Sequence, residues 1–217
     1  HSGTIEYMKK VVVFGADGRT GRPVVEELVQ AGYEVVASVY QMPRDNIFPS
    51  GVHMEEGSVL DPDYVEGVVS NADVVISVVG HIKGTDPRMQ TKGIKNIVEA
   101  MRKHGVRRLL SLTGTGVRQE RDKPSIIDRI LNIIIKKIDP QRIQDGIDHA
   151  KIVQNSGLDW TILRVLKLTK GNVEEKKYTL TEGGPAEFST PRKKVAHILV
   201  DTIDKPEWFK KMPVSST

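Results

Sequence analysis

The sequence predicts an α/β protein, a doubly wound parallel sheet with helices on both faces, folded as a single domain. Three observations lead there. Short β-branched runs alternate with amphipathic stretches from Lys9 onwards, and such alternation builds a parallel sheet through right-handed crossover helices. The runs are apolar at consecutive positions, as strands covered on both faces require. A glycine triplet stands between the first run and the first helix.

Lys9–Gly15 (KKVVVFG) reads as the first strand. The next helix takes Thr20 as its cap and Pro23 in its first turn, and lines up Val24, Val25, Leu28 and Val29 before Gly32. Glu34–Tyr40 is the second strand, followed by a loop holding Pro43 and Pro49. Val52–Met54 is a short third strand, and Asp61-Pro62 opens a short helix. Ala72–Gly80 is the fourth strand. Asp86-Pro87 opens a helix carrying Met89, Ile94, Ile97, Val98 and Met101, stopped by Gly105. Arg107–Thr113 is the fifth strand, Gln141–Asn155 a helix and Leu158–Arg164 the sixth strand. Short strands at Lys177–Thr181 and Phe209–Val214 flank a helix near Arg192–Thr202. The isoleucine-rich Ser125–Ile138 leaves three readings open: the lining of a hydrophobic substrate pocket, a subunit contact in a homodimer, or a helix buried against its own sheet.

The triplet is Gly15-Ala16-Asp17-Gly18-Arg19-Thr20-Gly21. Glycine allows the tight turn and lets backbone approach a pyrophosphate, while the helix N-terminus offers free N–H groups and a positive dipole end. Strand, loop and helix in that order predict a Rossmann-type NAD(P) site. Folds that take NAD often end the second strand in an acidic residue. Here it ends in Tyr40, and Arg19 and Arg44 are the nearest guanidinium groups for a 2′-phosphate. NADP is the expected cofactor, with NAD as the alternative.

Composition narrows the remaining classes. The chain of 217 residues carries a net charge of +4 with no dense basic block, so nucleic acid is not an expected partner. Cysteine is absent, which removes disulfides, thiolate metal sites and thiol nucleophiles; no metal is expected. No run approaches the roughly 20 apolar residues of a membrane span, and residues 1–7 read as an expression remnant before a start at Met8. The expected setting is cytoplasmic, with residues 8–217 forming the domain and its small C-terminal substrate-side region.

Several segments together resemble the atypical short-chain dehydrogenase/reductase group, in particular its NmrA-like and small biliverdin/flavin reductase branch. They are VFGADGRTG (13–21), AGYEVVASV (31–39), GSVLDPD (57–63), ADVVISVVG (72–80), GIKNIVEAMRKHGV (93–106) and SGLDWTILR (156–164). The resemblance implies that the glycine loop holds the pyrophosphate. It also implies that Ser58 (where the group has Asp) and Val59 flank the adenine, that Val78, Val79 and Gly80 line the adenosine, and that Thr113 sits near the nicotinamide ribose. The segment that backs the nicotinamide begins at Val165, where the group has proline.

The usual catalytic pattern of that group, Tyr-x-x-x-Lys, has no tyrosine to fill it, because none occurs between Tyr64 and Tyr178. Counting back from Ser156, the two positions fall on Arg142 and Gly146, and the partner serine position falls on Gly114. Thr113, His149 and Lys151 are the remaining candidates for catalysis, with His149 read as a partly exposed helical residue. His81 stands at the expected ligand-binding edge of strand four. Two functions follow: a reductase passing hydride from NAD(P)H to a conjugated small-molecule acceptor such as a flavin or quinone, or a non-catalytic NAD(P) sensor of NmrA-like type.

Overall fold

The computed structural model describes residues 8–81, 84–171 and 177–216; the heptapeptide read as an expression remnant lies outside them. The strands are β1 (Lys10–Phe14), β2 (Glu34–Val39), β3 (His53–Glu56), β4 (Val74–Ser77), β5 (Arg108–Gly114), β6 (Asp159–Val165), β7 (Leu168–Thr169), β8 (Thr179–Thr181), β9 (Thr190–Pro191) and β10 (Val214–Ser216). The helices are α1 (Gly21–Gln30), α2 (Pro62–Val69), α3 (Met89–His104), α4 (Ile126–Ile138), α5 (Pro140–Gln154) and α6 (Arg192–Asp201).

Eight strands form the main sheet in the order β3-β2-β1-β4-β5-β6-β10-β8, while β7 and β9 pair separately. All neighbours in the main sheet are parallel except β8, which runs antiparallel to β10 at the edge. The consecutive apolar residues of β1 are explained by this arrangement. Val11 and Val13 pack under α1 and α6, whereas Val12 and Phe14 pack under α2, α3 and α5. All four are fully buried. Each side of the sheet thus has its own apolar layer, which is the doubly wound plan.

Several expected boundaries move. Thr20 precedes α1 but makes no side-chain cap, and Tyr40 lies beyond β2 with 75% of its surface exposed. The third strand is shifted to His53–Glu56. The expected strand at Phe209–Val214 is instead a 3₁₀ turn at Pro206–Trp208, one isolated bridge at Lys211, and then β10. The larger correction concerns α4. It is not buried against the sheet: among its residues only Asp128 is buried, and Ile126 and Ile138 are 77% and 79% exposed.

Two buried arginines tie the C-terminal region to the sheet. Arg108 donates to the carbonyls of Thr202, Ile203 and Asp159 and lies over the Phe209 ring. Arg164 pairs with Asp122 at 2.5 Å and donates to the carbonyls of Met212, Val117 and Glu182. A buried guanidinium persists only when its donors are satisfied, and both are.

Candidate functional site

The chain leaves β1 for β2 on one side and returns to β4 on the other, so a crevice opens between the ends of β1 and β4. Open α/β sheets bind ligands at this switch point. Gly15 turns here with φ +77°, and a Cβ on it would lie 3.1 Å from the Val79 nitrogen and 3.2 Å from the Val78 carbonyl carbon. Gly21 is tighter still: a Cβ there would fall 2.0 Å from the Gly15 oxygen. Gly18 is exposed, and its N–H donates to the Gly15 carbonyl at 3.1 Å. The loop is folded on itself with Ala16 and Thr20 buried, Asp17 half-buried, and Arg19 exposed.

The first turn of α1 has neither a side-chain cap nor an acidic residue. Pro23 has no N–H, and the Arg22 and Val24 N–H groups are taken by the Gly18 and Thr20 carbonyls, so what this end of α1 offers a pyrophosphate is its positive dipole end. The residues present fit that group. Arg19 brings a second feature that sequence reading missed, because it lies close to Arg192 at the start of α6. Burial, and then repulsion from Arg19, holds the Arg192 guanidinium below its usual range, and its Nε is buried without a partner among the described residues. Two neighbouring cations, one with an unused donor, suit an anion. Nothing in the spacing of Arg19 and Arg192 along the chain signals that their charges act on each other.

The other expected contacts are distributed around the crevice. Tyr40 and Arg44 follow β2, both exposed. The Ser58 hydroxyl accepts from the Leu60 N–H, and Val59 packs against Gly93 of α3. Val78, Val79 and Gly80 are half-buried, and Val78 donates to the Phe14 carbonyl, which ties the end of β4 to β1. Thr113 pairs with Arg164 in the sheet, and Val165 lies beside Gly114.

The catalytic candidates Thr113, His149 and Lys151 differ in their surroundings. A Cβ on Gly146 would lie 3.1 Å from the Thr113 Oγ1, so α5 presents a bare backbone position to that hydroxyl. Lys151 is exposed on the outer side of α5. His149 is buried, not partly exposed, at 4%. It follows Asp145 by one turn, and Asp145 faces α3, accepting from the Gln90 and Thr91 N–H groups and the Thr91 hydroxyl. Burial pushes the His149 imidazole down to about 4 against a partial opposing effect of Asp145, so it is neutral near pH 7. His81 pairs with Asp139 at 3.2 Å, at the junction of α4 and α5.

A cluster beyond β5 was also missed. Asp128 of α4 is 1% exposed and accepts from both terminal nitrogens of Arg118, from Thr115 Oγ1 and from Asn132 Nδ2. Beside it, a groove of about 610 Å³ runs between α4 and α5, lined by Gly116, Arg118, Asn132, Ile133, Ile143, Ile147 and neighbours. A second concavity near Tyr178 and Lys205 lies on the β8–α6 side, with the Lys205 charge taken up by Asp201.

The model of a family described as NAD(P)H-binding matches residues 15–206. An uncharacterised chloroplastic protein of Arabidopsis thaliana is 27% identical over 215 residues, covering 92% of this chain and 73% of that one. An uncharacterised protein of Mycobacterium tuberculosis is 28% identical over 46% of this chain, which spans only 12% of its length. Among solved structures, a Veillonella parvula short-chain dehydrogenase/reductase in complex with NADP superposes with a TM-score of 0.80 at 19% identity, covering 97% of this chain and 95% of that chain. An oxidoreductase of Lactococcus lactis gives 0.77 at 17% identity, covering 96% and 90%. At those identities the likeness is one of fold. Among the described residues, no helix is long and apolar enough to cross a membrane.

Proposed function

The chain belongs to the NAD(P)H-binding family, and from that premise we propose that it is a reductase of the atypical short-chain dehydrogenase/reductase type for a conjugated small-molecule acceptor such as a flavin or quinone, with NADP as its cofactor. When bound, the cofactor supplies the hydride. The backbone of Gly15–Gly21 would hold its pyrophosphate, with Arg19 and Arg192 neutralising charge on the α6 side. Arg44, after β2, would take the 2′-phosphate beside Tyr40. Ser58, Val59, Val78, Val79 and Gly80 would enclose the adenosine, and Thr113 and Val165 would border the nicotinamide.

The observation that carries the choice of acceptor is the surroundings of Thr113. Its hydroxyl meets Gly146, while His149 is buried and neutral near pH 7 and Lys151 is exposed to solvent. Reduction of a simple ketone develops an alkoxide that needs a proton or strong hydrogen bonds in the transition state. A conjugated ring spreads that charge and takes its proton from water. The groove between α4 and α5, apolar on Ile133, Ile143 and Ile147, would align such a ring.

The test is a steady-state panel at fixed NADPH, with flavin mononucleotide, biliverdin and several quinones set beside aliphatic ketones and secondary alcohols. The first group should turn over and the second should not, and His149→Ala should lower the rate only modestly. Efficient ketone reduction would overturn the mechanism. Tight NADP(H) binding with no turnover at all would establish the nucleotide sensor in its place.

A further inference from the structure

The outward face of α4 is unlike the rest of the surface. Ile126, Ile127, Ile130, Ile133, Ile134 and Ile138 are each between 45% and 79% exposed. Contiguous exposed patches of this kind mark a surface that is covered by something. The inward face is the polar one, holding Asp128 and Asn132 against Thr115 and Arg118. The helix is therefore amphipathic in the reverse sense to a core helix: its apolar side looks away from the protein.

Charge decides what covers it. Arg129, Lys136 and Lys137 are the exposed charged residues of α4, and no ion pair among the described residues involves them. The one acid on the helix, Asp128, is buried and bound to Arg118. At 100° per residue Lys137 falls between Ile126 and Ile130, in the middle of the apolar face. A second copy docked by this face in either helix direction would set cations against cations and bury a lysine. At a lipid surface, the same lysine buries its stem and keeps its ammonium among the headgroups.

We propose that α4 docks this protein on an anionic membrane surface, lying in the interface with its isoleucines in the acyl boundary and Arg129, Lys136 and Lys137 on the lipid phosphates. An apolar face with two cations along one edge and a third within it, on a helix too short to span, is the pattern of interfacial attachment. The docking does not depend on the redox reading. It has a consequence for it, because Arg129, Ile133 and Lys136 also line the groove between α4 and α5, so a lipid-soluble acceptor would meet the groove from the bilayer side.

The experiment is flotation with phosphatidylcholine vesicles, with and without roughly 30% phosphatidylglycerol. The full chain should float with the anionic vesicles and bind about tenfold less to the neutral ones or at high salt. Lys137→Glu should lower binding to anionic vesicles about tenfold, and Ile126→Gln/Ile130→Gln/Ile134→Gln should abolish it. Both variants should keep their circular dichroism and NADPH affinity, since these side chains lie outside the cofactor crevice. Failure to float with either vesicle would overturn the proposal. So would a dimer in light scattering that the triple glutamine variant converts to monomer, because that outcome assigns the face to a second copy.

Discussion

At the scale of single residues, the three glycines of the loop have separate tasks. Gly21 is structural: any Cβ there would meet the Gly15 oxygen at 2.0 Å and the Ala16 Cα at 2.6 Å, both backbone atoms that cannot turn aside. Gly21→Ala should therefore destabilise the fold by about 1–3 kcal/mol, read by urea denaturation. Gly18 is exposed, and a Cβ on it would meet only the Gly15 oxygen, at 3.1 Å. Gly18→Val should keep the fold and block NAD(P) binding; unchanged affinity by calorimetry would remove the cofactor assignment. The spacing of this loop was legible because its chemistry is local. His149 was not, since a helical window does not show which of its faces the rest of the chain covers. It contributes a pH dependence. Its folded value, about 4, lies below the 6.5 of the unfolded chain, so the unfolded state binds the extra proton between them. Stability should be full above pH 6.5 and fall by about 3 kcal/mol as the pH drops towards 4. His149→Leu should flatten that slope in denaturation curves; an unchanged slope would assign it to other groups.

At the scale of elements, the alternation of strands and helices was readable because consecutive apolar residues and amphipathic periods are properties of short windows. The orientation of α4 was not. Its isoleucines satisfy a buried helix as well as an exposed one, and only the partners of Asp128 decide between them. Those partners, Arg118 and Thr115 from the segment after β5, are set by tertiary structure. Asp128 is consequently the link between β5 and α4, with Ser125 capping the helix by accepting from the Asp128 N–H. Asp128→Asn preserves the shape but removes the charge that both Arg118 nitrogens use. It should lower stability by about 2 kcal/mol and release α4 selectively, seen as faster amide exchange in residues 126–138 than in α1 or α3. Uniform exchange across the helices would show that α4 is held by other contacts. The C-terminal strand also moved, because Pro213 has no N–H to donate and the ladder resumes at Val214, where β10 pairs with both β6 and β8.

At the scale of the molecule, the sheet gathers groups from distant parts of the chain at one edge: the loop after β1, the segment after β2, the ends of β4 and β5, and the start of α6. The order of elements makes that edge predictable from sequence, but not which side chains from the C-terminal third reach it. Arg192 is the example, and it separates two roles that Arg19 and Arg44 share when only the sequence is read. Arg19 neighbours Arg192, which places this pair beside α1 and α6, while Arg44 remains with the end of β2. A 2′-phosphate distinguishes NADPH from NADH; the pyrophosphate does not. If Arg44 serves the first and Arg192 the second, their substitutions should differ in kind. NADPH should bind more tightly than NADH, and Arg44→Ala should narrow that gap by roughly tenfold or more, the worth of one charge-assisted contact. Arg192→Ala should weaken both cofactors by a similar factor and leave their ratio unchanged. Calorimetric titration of both nucleotides against the three proteins measures all of this. Equal affinities in the unsubstituted protein would refute the NADP assignment, and a loss of discrimination in Arg192→Ala would move the 2′-phosphate to the α6 side.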